Sequence, residues 1–308
     1  MSEPTPILEK KPLTFKDVFI NPNEKRLRAG WRLLVNLIFL FIISIPFALS
    51  AVLIQLIKPE WRSIGLVIAN GLPIVLAVLL SRVLVDRRSL RSLGLQISWR
   101  AVVDVLAGIA IAAAQLALVF GIQLAMGWIT VDGFGWQESG LLPTLGGLLL
   151  WLGLFAAVGF YEELFSRGYQ LQNLEEGLNT FWAVLLSAGF FGLLHIANAG
   201  ASWISTLGIM LAGIYFAFGY LRTRTLWLVV GLHFGWNFTL GPILGYPVSG
   251  MQTTSVLIPN VTGPEIWTGG AFGPEAGLVV LPAFALGVGL IWLYTRGRMK
   301  DEQAAKNP

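Results

Sequence analysis

The sequence predicts an all-α polytopic membrane protein with about eight transmembrane helices in one bundle. Two properties of the composition support this fold class: 55% of the 308 residues are hydrophobic and only 12% are charged. Soluble domains have about a quarter of their residues charged. The third observation is a series of uncharged runs, most of them about as long as a helix that crosses a bilayer. These features argue against a soluble globular enzyme and against a disordered chain.

The uncharged runs give the expected order of the spans. They lie between Arg32 and Lys58, between Arg62 and Arg82, from Val105 to Met126, between Glu138 and Glu162, on either side of Asn198–Ser202 within Gly177–Leu221, from about Leu226, and from Gly277 to Thr295. Continuous apolar runs of this kind are typical of helices, because membrane-barrel strands have about ten residues of alternating polarity. Pro46 and Pro73 are expected to kink the first two spans without ending them.

The basic residues predict the orientation of the bundle. Of the 21 Lys and Arg residues, all except Lys58 and Arg62 fall on one side when the chain crosses eight times. Basic residues favour the cytoplasmic side, so both termini are expected in the cytoplasm of a multi-pass cell-membrane protein. The same bias accounts for the net charge of +4, and the lipid bilayer, with no nucleic acid, is the expected partner.

Three regions follow from this pattern: a basic cytoplasmic tail over 1–31, the transmembrane bundle over 32–295, and a second cytoplasmic tail over 296–308. The first 30 residues contain no apolar stretch of the kind found in cleavable signal peptides, so span one is expected to be the insertion signal. The chain has no cysteine, which excludes disulfides, cysteine-based metal sites and a thiol nucleophile. The Gly- and Pro-rich segment 241–274 is expected to be a long outer loop.

Ionisable residues inside membrane spans are rare and are functional candidates. The first cluster is Tyr161-Glu162-Glu163-Leu164-Phe165-Ser166-Arg167, directly after span four. If the helix continues, Glu163 and Arg167 share one face and form an ion pair, while Glu162 is rotated about 100° away. Taken alone, this cluster also fits a group of charged side chains at a helix end.

The two histidines of the chain lie in the other two clusters. His195 ends Phe191-x-x-x-His195 in span five, and His233 begins His233-x-x-x-Asn237 in span seven. Either histidine alone also fits a structural residue that bonds to a neighbouring helix. A rise of 1.5 Å per residue, however, places both at depths similar to that of Glu162, in the cytoplasmic half of the bilayer. A shared site is therefore predicted.

A carboxylate beside two imidazoles suits two chemistries, which the residues alone leave open. The carboxylate can act as a general base on water, with an imidazole and an amide stabilising the oxyanion of an acyl substrate. Alternatively, Glu162, His195 and His233 make a ligand set found at catalytic zinc sites. The zinc motif H-E-x-x-H is absent.

These motifs, E-E-x-x-x-R, F-x-x-x-H and H-x-x-x-N on successive spans, resemble the CPBP family. That family comprises the type II CAAX prenyl endopeptidases and the bacteriocin-processing (Abi) intramembrane proteases, and the flanking sequence resembles bacterial members. The resemblance implies a protease core over about 141–245 that cleaves a membrane-associated substrate reached from the cytoplasmic side. It implies that Glu162 activates water with help from His195, that His233 and Asn237 form the oxyanion site, and that Glu163 and Arg167 support the site.

Two other classes of function remain as alternatives. A non-enzymatic membrane scaffold or bacteriocin-immunity protein would use the bundle to bind a partner. A proton-coupled transporter would use intramembrane Glu, His and Arg side chains as a relay, although the sequence lacks the internal repeats common in transporters. Replacing Glu162 is expected to separate these classes from a protease, because only the protease loses hydrolysis while remaining folded.

Overall fold

A computed structural model describes residues 15–22 and 24–306, without the side chains of Pro59 and of residues after Arg298. Within this part of the chain, six helices are long and apolar enough to cross a membrane. The structure is therefore an α-helical, multi-pass membrane protein, as the sequence predicts. The long apolar helices are α2 (Ala29–Ile57), α3 (Arg62–Leu80), α4 (Trp99–Ala125), α6 (Leu141–Glu163), α9 (Trp203–Thr223) and α12 (Val280–Lys306).

The fifth and seventh predicted spans are shorter helices. They are α8 (Thr180–Leu194) and α10 (Trp227–Phe238), of 15 and 12 residues. Three helices continue into π-helical segments, in which hydrogen bonds join residues five apart. Ser81–Val85 extends α3, Leu164–Leu171 extends α6, and Thr239–Ile243 extends α10. Only six of the eight predicted spans therefore meet the length of a full crossing.

Short elements complete the described fold. They are α1 (Phe15–Phe19), β1 (Ile20–Asn21), β2 (Arg26–Leu27), β3 (Ile129–Phe134), α5 (Gly135–Ser139), α7 (Gln172–Gly177), β4 (Leu257–Val261) and α11 (Glu265–Thr268). β1 pairs antiparallel with β2, and β3 pairs antiparallel with β4 across a bulge between Val131 and Gly133. The second pair joins the loop before α5 to the long 244–279 segment, so that segment is ordered and folds back on the bundle.

Polar side chains cap several of the helices. Ser98 accepts a hydrogen bond from the Ala101 N–H at the start of α4, and Asn179 does the same for Trp182 at the start of α8. Ser202 and Ser205 form a reciprocal capping box at the start of α9. Such caps satisfy N–H groups that the first helical turn leaves without partners, so the sequence fixes where these helices begin.

Two ends of the bundle are distinguished by their contacts. At the first, ion pairs join helix ends that are far apart in sequence: Arg32 with Glu176, Arg224 with Glu175, and Arg298 with Asp104. We call this the basic end; it comprises residues 26–32, 81–100, 172–180, 222–227 and 295–298. At the opposite end lie residues 57–63, 125–141, 195–203 and 244–279, which we call the loop end.

α10 crosses α4 at close range because both helices carry glycine at the contact. A Cβ on Gly231 would lie 2.2 Å from the carbonyl oxygen of Val105, and one on Gly108 would lie 2.4 Å from that of Leu228. Any larger side chain would push the helices apart. This contact fixes the height of α10, and with it the position of His233.

Candidate active site

Glu162 and Glu163 are held by a helix that continues past them. α6 ends at Glu163 and passes without a break through the π-type turns of 164–171 into α7. The predicted continuation of span four beyond Glu163 is thus confirmed. The two carboxylates point to different sides: the Glu163 side chain is fully buried, whereas the Glu162 side chain is 20% exposed and lines a cavity.

Glu163 forms the predicted ion pair with Arg167. Arg167 Nη1 donates to Glu163 Oε1 at 2.9 Å, and Arg167 Nη2 donates to the carbonyl oxygen of Gly213 at 2.8 Å. The guanidinium also stacks near the rings of Phe191 and Phe216, at 4.7 and 5.3 Å from their centroids. The buried cation is therefore matched by one carboxylate, one carbonyl and two aromatic faces.

His233 connects the two glutamates. Its Nδ1 lies 2.9 Å from Glu163 Oε1, and its Nε2 lies 3.8 Å from Glu162 Oε2. The imidazole stacks on the Phe216 ring, with 5.1 Å between centroids and 14° between planes. The ring is buried, bonded at Nδ1 and stacked on Phe216, and these contacts fix its orientation.

His195 approaches Glu162 from a different element. Its Nε2 lies 3.9 Å from Glu162 Oε2, and its Nδ1 lies 2.8 Å from the carbonyl oxygen of Phe191. The sequence places His195 inside span five, but α8 ends at Leu194 and His195 is its C-terminal cap. The helix stops there because the chain turns through residues 195–202 under the long 244–279 segment, where Gly200 contacts Ala271.

The hydrogen bonds of both Nδ1 atoms determine what the Nε2 atoms present. The Phe191 carbonyl oxygen can only accept, so Nδ1 of His195 carries its hydrogen; the Glu163 carboxylate assigns the same tautomer to His233. In the neutral form each Nε2 then presents a lone pair toward Glu162. Three acceptors converge at separations too long for direct hydrogen bonds, an arrangement that suits a donor such as water between them.

Asn237 joins these groups on the wall of one cavity of about 890 Å³. It lies one helical turn after His233 on α10, and 6% of its surface is exposed. Apolar and aromatic side chains from α3, α6 and α9 supply most of the remaining wall, among them Leu66, Phe155 and Ile209. Catalytic and binding sites commonly combine such an apolar wall with a few convergent polar groups.

Glu275 is a buried acid of the same cavity that the motifs did not predict. Its Oε1 accepts from Trp236 Nε1 at 3.0 Å, and its Oε2 accepts from the N–H and hydroxyl of Ser249 at 2.5 and 2.9 Å. Burial raises the pKa of this carboxyl, although the hydrogen bonds from Ser249 and Trp236 act in the opposite direction. The sequence could have indicated this residue, because Glu275 is the one charged residue between Glu265 and Arg296.

The donor atoms of the site suit a zinc ion chemically. Two imidazole Nε2 atoms and one carboxylate are a familiar set, and both Nδ1 atoms are held by acceptors, as is usual for ligating histidines. Within the described residues, however, no group of three or more His, Asp or Glu side chains forms a ready metal site. The separations of 3.8 and 3.9 Å from Glu162 exceed the roughly 3.3 Å between tetrahedral zinc ligands, so binding would draw these side chains together.

The fold and the site together define a class: multi-pass α-helical membrane proteins with a glutamate–histidine cluster on an intramembrane cavity. Residues 144–239 match the family model described as "Type II CAAX prenyl endopeptidase Rce1-like". This region runs from α6 through α10 and contains all seven specified residues of the three motifs. The match covers about a third of the chain and supports membership of the CPBP family, a family of proteases. No curated protein and no solved structure matches the chain.

Proposed function

We propose that this protein is an intramembrane endopeptidase that hydrolyses a peptide bond of a membrane-associated substrate. The observation that carries the proposal is the convergence of Glu162 Oε2 with Nε2 of both His195 and His233, at 3.9 and 3.8 Å, on a cavity wall. These are the two histidines of the chain. Membership of a protease family supports hydrolysis as the chemistry of this cluster.

In the proposed first step, Glu162 removes a proton from a water molecule as the water oxygen attacks the peptide carbonyl carbon. The lone pair of His195 Nε2 accepts the second water hydrogen and so aligns the nucleophile. The new C–O bond converts the carbonyl into a tetrahedral oxyanion. A positioned general base of this kind contributes about 10²–10⁴ to a rate.

His233 and Asn237 are proposed to stabilise that oxyanion. The Asn237 amide can donate directly. His233 donates from Nε2 only when both of its nitrogens carry hydrogen, and the Glu163 carboxylate at 2.9 Å from Nδ1 stabilises that cation. Glu162 then returns its proton to the leaving amine as the C–N bond breaks. Glu163 and Arg167 are proposed to be positioning residues. Glu163 holds the His233 ring through Nδ1, and Arg167 holds Glu163.

A zinc ion at this site would be held by Glu162, His195 and His233 and would supply activation of the attacking water. The two versions of the mechanism differ in one measurable property. Cleavage that survives a chelator shown to remove bound metal supports Glu162 as the base. Cleavage that is lost on chelation and restored by zinc assigns the three side chains as ligands.

The test of the proposed function compares purified wild type with Glu162→Ala on a quenched fluorescent peptide library in detergent. We expect cleavage by the wild type and none by the variant. Thermal denaturation curves should show that both proteins are folded. Equal cleavage by both proteins would contradict the proposal. A cellular phenotype that Glu162→Ala leaves unchanged would instead indicate a scaffold or immunity protein.

A further inference from the structure

The cavity that contains Glu162 is built from one side of the bundle. Its lining includes Arg62 and Ser63, residues 197–199, residues 248–252 and Glu275, all of which belong to the loop end. None of the described lining residues belongs to the basic end. Along α6 with its π-type continuation, and along α9, the lining residues farthest from the loop end are Ser166 and Phe216. The cavity therefore runs from the loop end down to the glutamate–histidine cluster and stops there.

Close packing separates the cluster from the basic end. Every residue of the π-type segment 164–171 is buried, and Glu163 and Arg167 lie at its start with 0% and 1% of their side chains exposed. Below them, Arg82 forms hydrogen bonds with Asp86, Ser92 and Gln172. A polypeptide cannot reach Glu162 through this layer without disrupting buried ion pairs.

The mouth of the cavity, by contrast, is accessible. Met251 is 38% exposed, and its neighbour Gln252 and the residue Ala199 are also exposed. The side chains of Glu162 and His195 keep 20% and 16% of their surface accessible although both lie inside the bundle. The cavity lining thus combines exposed residues of the loop end with the partly exposed side chains of Glu162 and His195.

The charge distribution assigns a side of the membrane to each end. All Lys and Arg residues other than Lys58 and Arg62 belong to the basic end, to Arg167 inside the bundle, or to the two tails. Such a bias favours the cytoplasmic side for that end. The loop end, and with it the mouth of the cavity, then faces away from the cytoplasm. This differs from the access expected from the family resemblance.

We propose that the cavity opens on the non-cytoplasmic face of the membrane and receives a peptide segment presented there. Its substrates are accordingly exported peptides or the outer membrane-proximal segments of membrane proteins, in place of cytosolic chain ends. That the bound peptide is a substrate rests on the proposed function. The access route itself rests on the cavity lining and on the charge distribution.

The absence of cysteine from the chain allows a direct test with single-cysteine variants. Asn70→Cys places a thiol on the cavity wall, Gln252→Cys places one at its mouth, and Ser89→Cys places one at the basic end. Each variant, in intact cells and in permeabilised cells, is treated with a small charged methanethiosulfonate that does not cross membranes. Ser63→Cys replaces Asn70→Cys if the latter does not fold.

We expect the thiols at positions 70 and 252 to react in intact cells, and the thiol at position 89 to react only after permeabilisation. Reaction at position 70 only after permeabilisation would overturn the proposal, as would reaction at position 89 in intact cells. A thiol at position 70 that never reacts would also overturn it, because the cavity would then hold no aqueous path.

Repeating the labelling in a Glu162→Gln background separates this proposal from the proposed function. Labelling that is unchanged in an inactive variant supports the access route independently of hydrolysis. If wild-type protein labels as expected but cleaves no peptide, the proposed function fails while the access route stands. If the wild-type protein cleaves added peptides only in inverted vesicles, which expose the cytoplasmic face, the access route fails while the proposed function stands.

Discussion

Glu162 and Glu163 are adjacent in the chain, yet their side chains lie in different environments. Glu163 is fully buried and bonded to both Arg167 and His233, whereas Glu162 faces the cavity. One oxygen of Glu162 is buried without a hydrogen-bond partner in the described structure. A carboxylate oxygen that no protein donor satisfies can accept a proton from bound water, which is the property a general base needs.

The two histidines are expected to respond differently to truncation. His195→Ala removes a group at a helix end and should lower the cleavage rate about 10²–10⁴-fold with little change in stability. His233→Ala should lower the rate and also cost about 1–3 kcal/mol of stability, because Glu163 loses a buried donor. Cleavage rates and urea denaturation in mixed micelles measure both effects. Equal stability losses in the two variants would contradict this assignment.

The Glu163–Arg167 pair is expected to be costly to break from one side. In Glu163→Gln the amide oxygen still accepts from His233. The loss of stability therefore reports on the Arg167 guanidinium, which no longer has a carboxylate as its partner. An uncompensated buried charge of this kind costs about 3–5 kcal/mol. The double variant with Arg167→Met should recover part of that loss. Denaturation midpoints of the two variants test this, and a double variant less stable than the single one would refute it.

At the scale of elements, the site depends on features that interrupt regular helices. The π-type turns of 164–171 follow directly on Glu163, and α8 stops one residue before His195. Irregular helical turns are frequent at functional sites. Apolar composition alone cannot reveal them, because the choice between helix types is made by tertiary packing. The sequence therefore predicted polar residues that line one cavity, but it placed His195 inside a helix that ends one residue earlier.

Glu275 is expected to hold the segment 246–252 against α10. In Glu275→Gln one acceptor oxygen becomes an amide donor, which then faces either the Ser249 donors or the Trp236 donor. Losing a hydrogen bond to a charged group costs about 1.5–3 kcal/mol, so amide exchange around Ser249 should accelerate about 10- to 100-fold. Hydrogen–deuterium exchange measures this. Glu138→Gln, at an exposed position outside the cavity, is the matched control.

Unchanged exchange of residues 246–252 in Glu275→Gln would show that other contacts hold the segment. The hydrogen bond from Asn198 Nδ2 to the Ser249 carbonyl would be the first candidate. Faster exchange in the Glu138→Gln control as well would show a general loss of stability rather than a local effect.

At the scale of the whole molecule, the sequence predicted the fold class, the order of the apolar segments and the polar residues that meet at the cavity. Hydropathy and charge suffice for these because the bilayer excludes charged and unpaired polar groups. The direction of the cavity could not be predicted, since it depends on how residues 195–202 and 244–279 fold over the bundle. Contacts such as Asn198 with Ser249 are non-local and leave no periodic signal.

The most direct test of the account compares wild type, Glu162→Gln and Glu138→Gln in proteoliposomes, with the products of peptide cleavage identified by mass spectrometry. We expect wild type and Glu138→Gln to give equal amounts of paired fragments whose masses sum to the substrate plus one water. Glu162→Gln should give at least about 100-fold less product while remaining folded. Product formation by Glu162→Gln at the wild-type rate would contradict a hydrolytic role for this carboxylate.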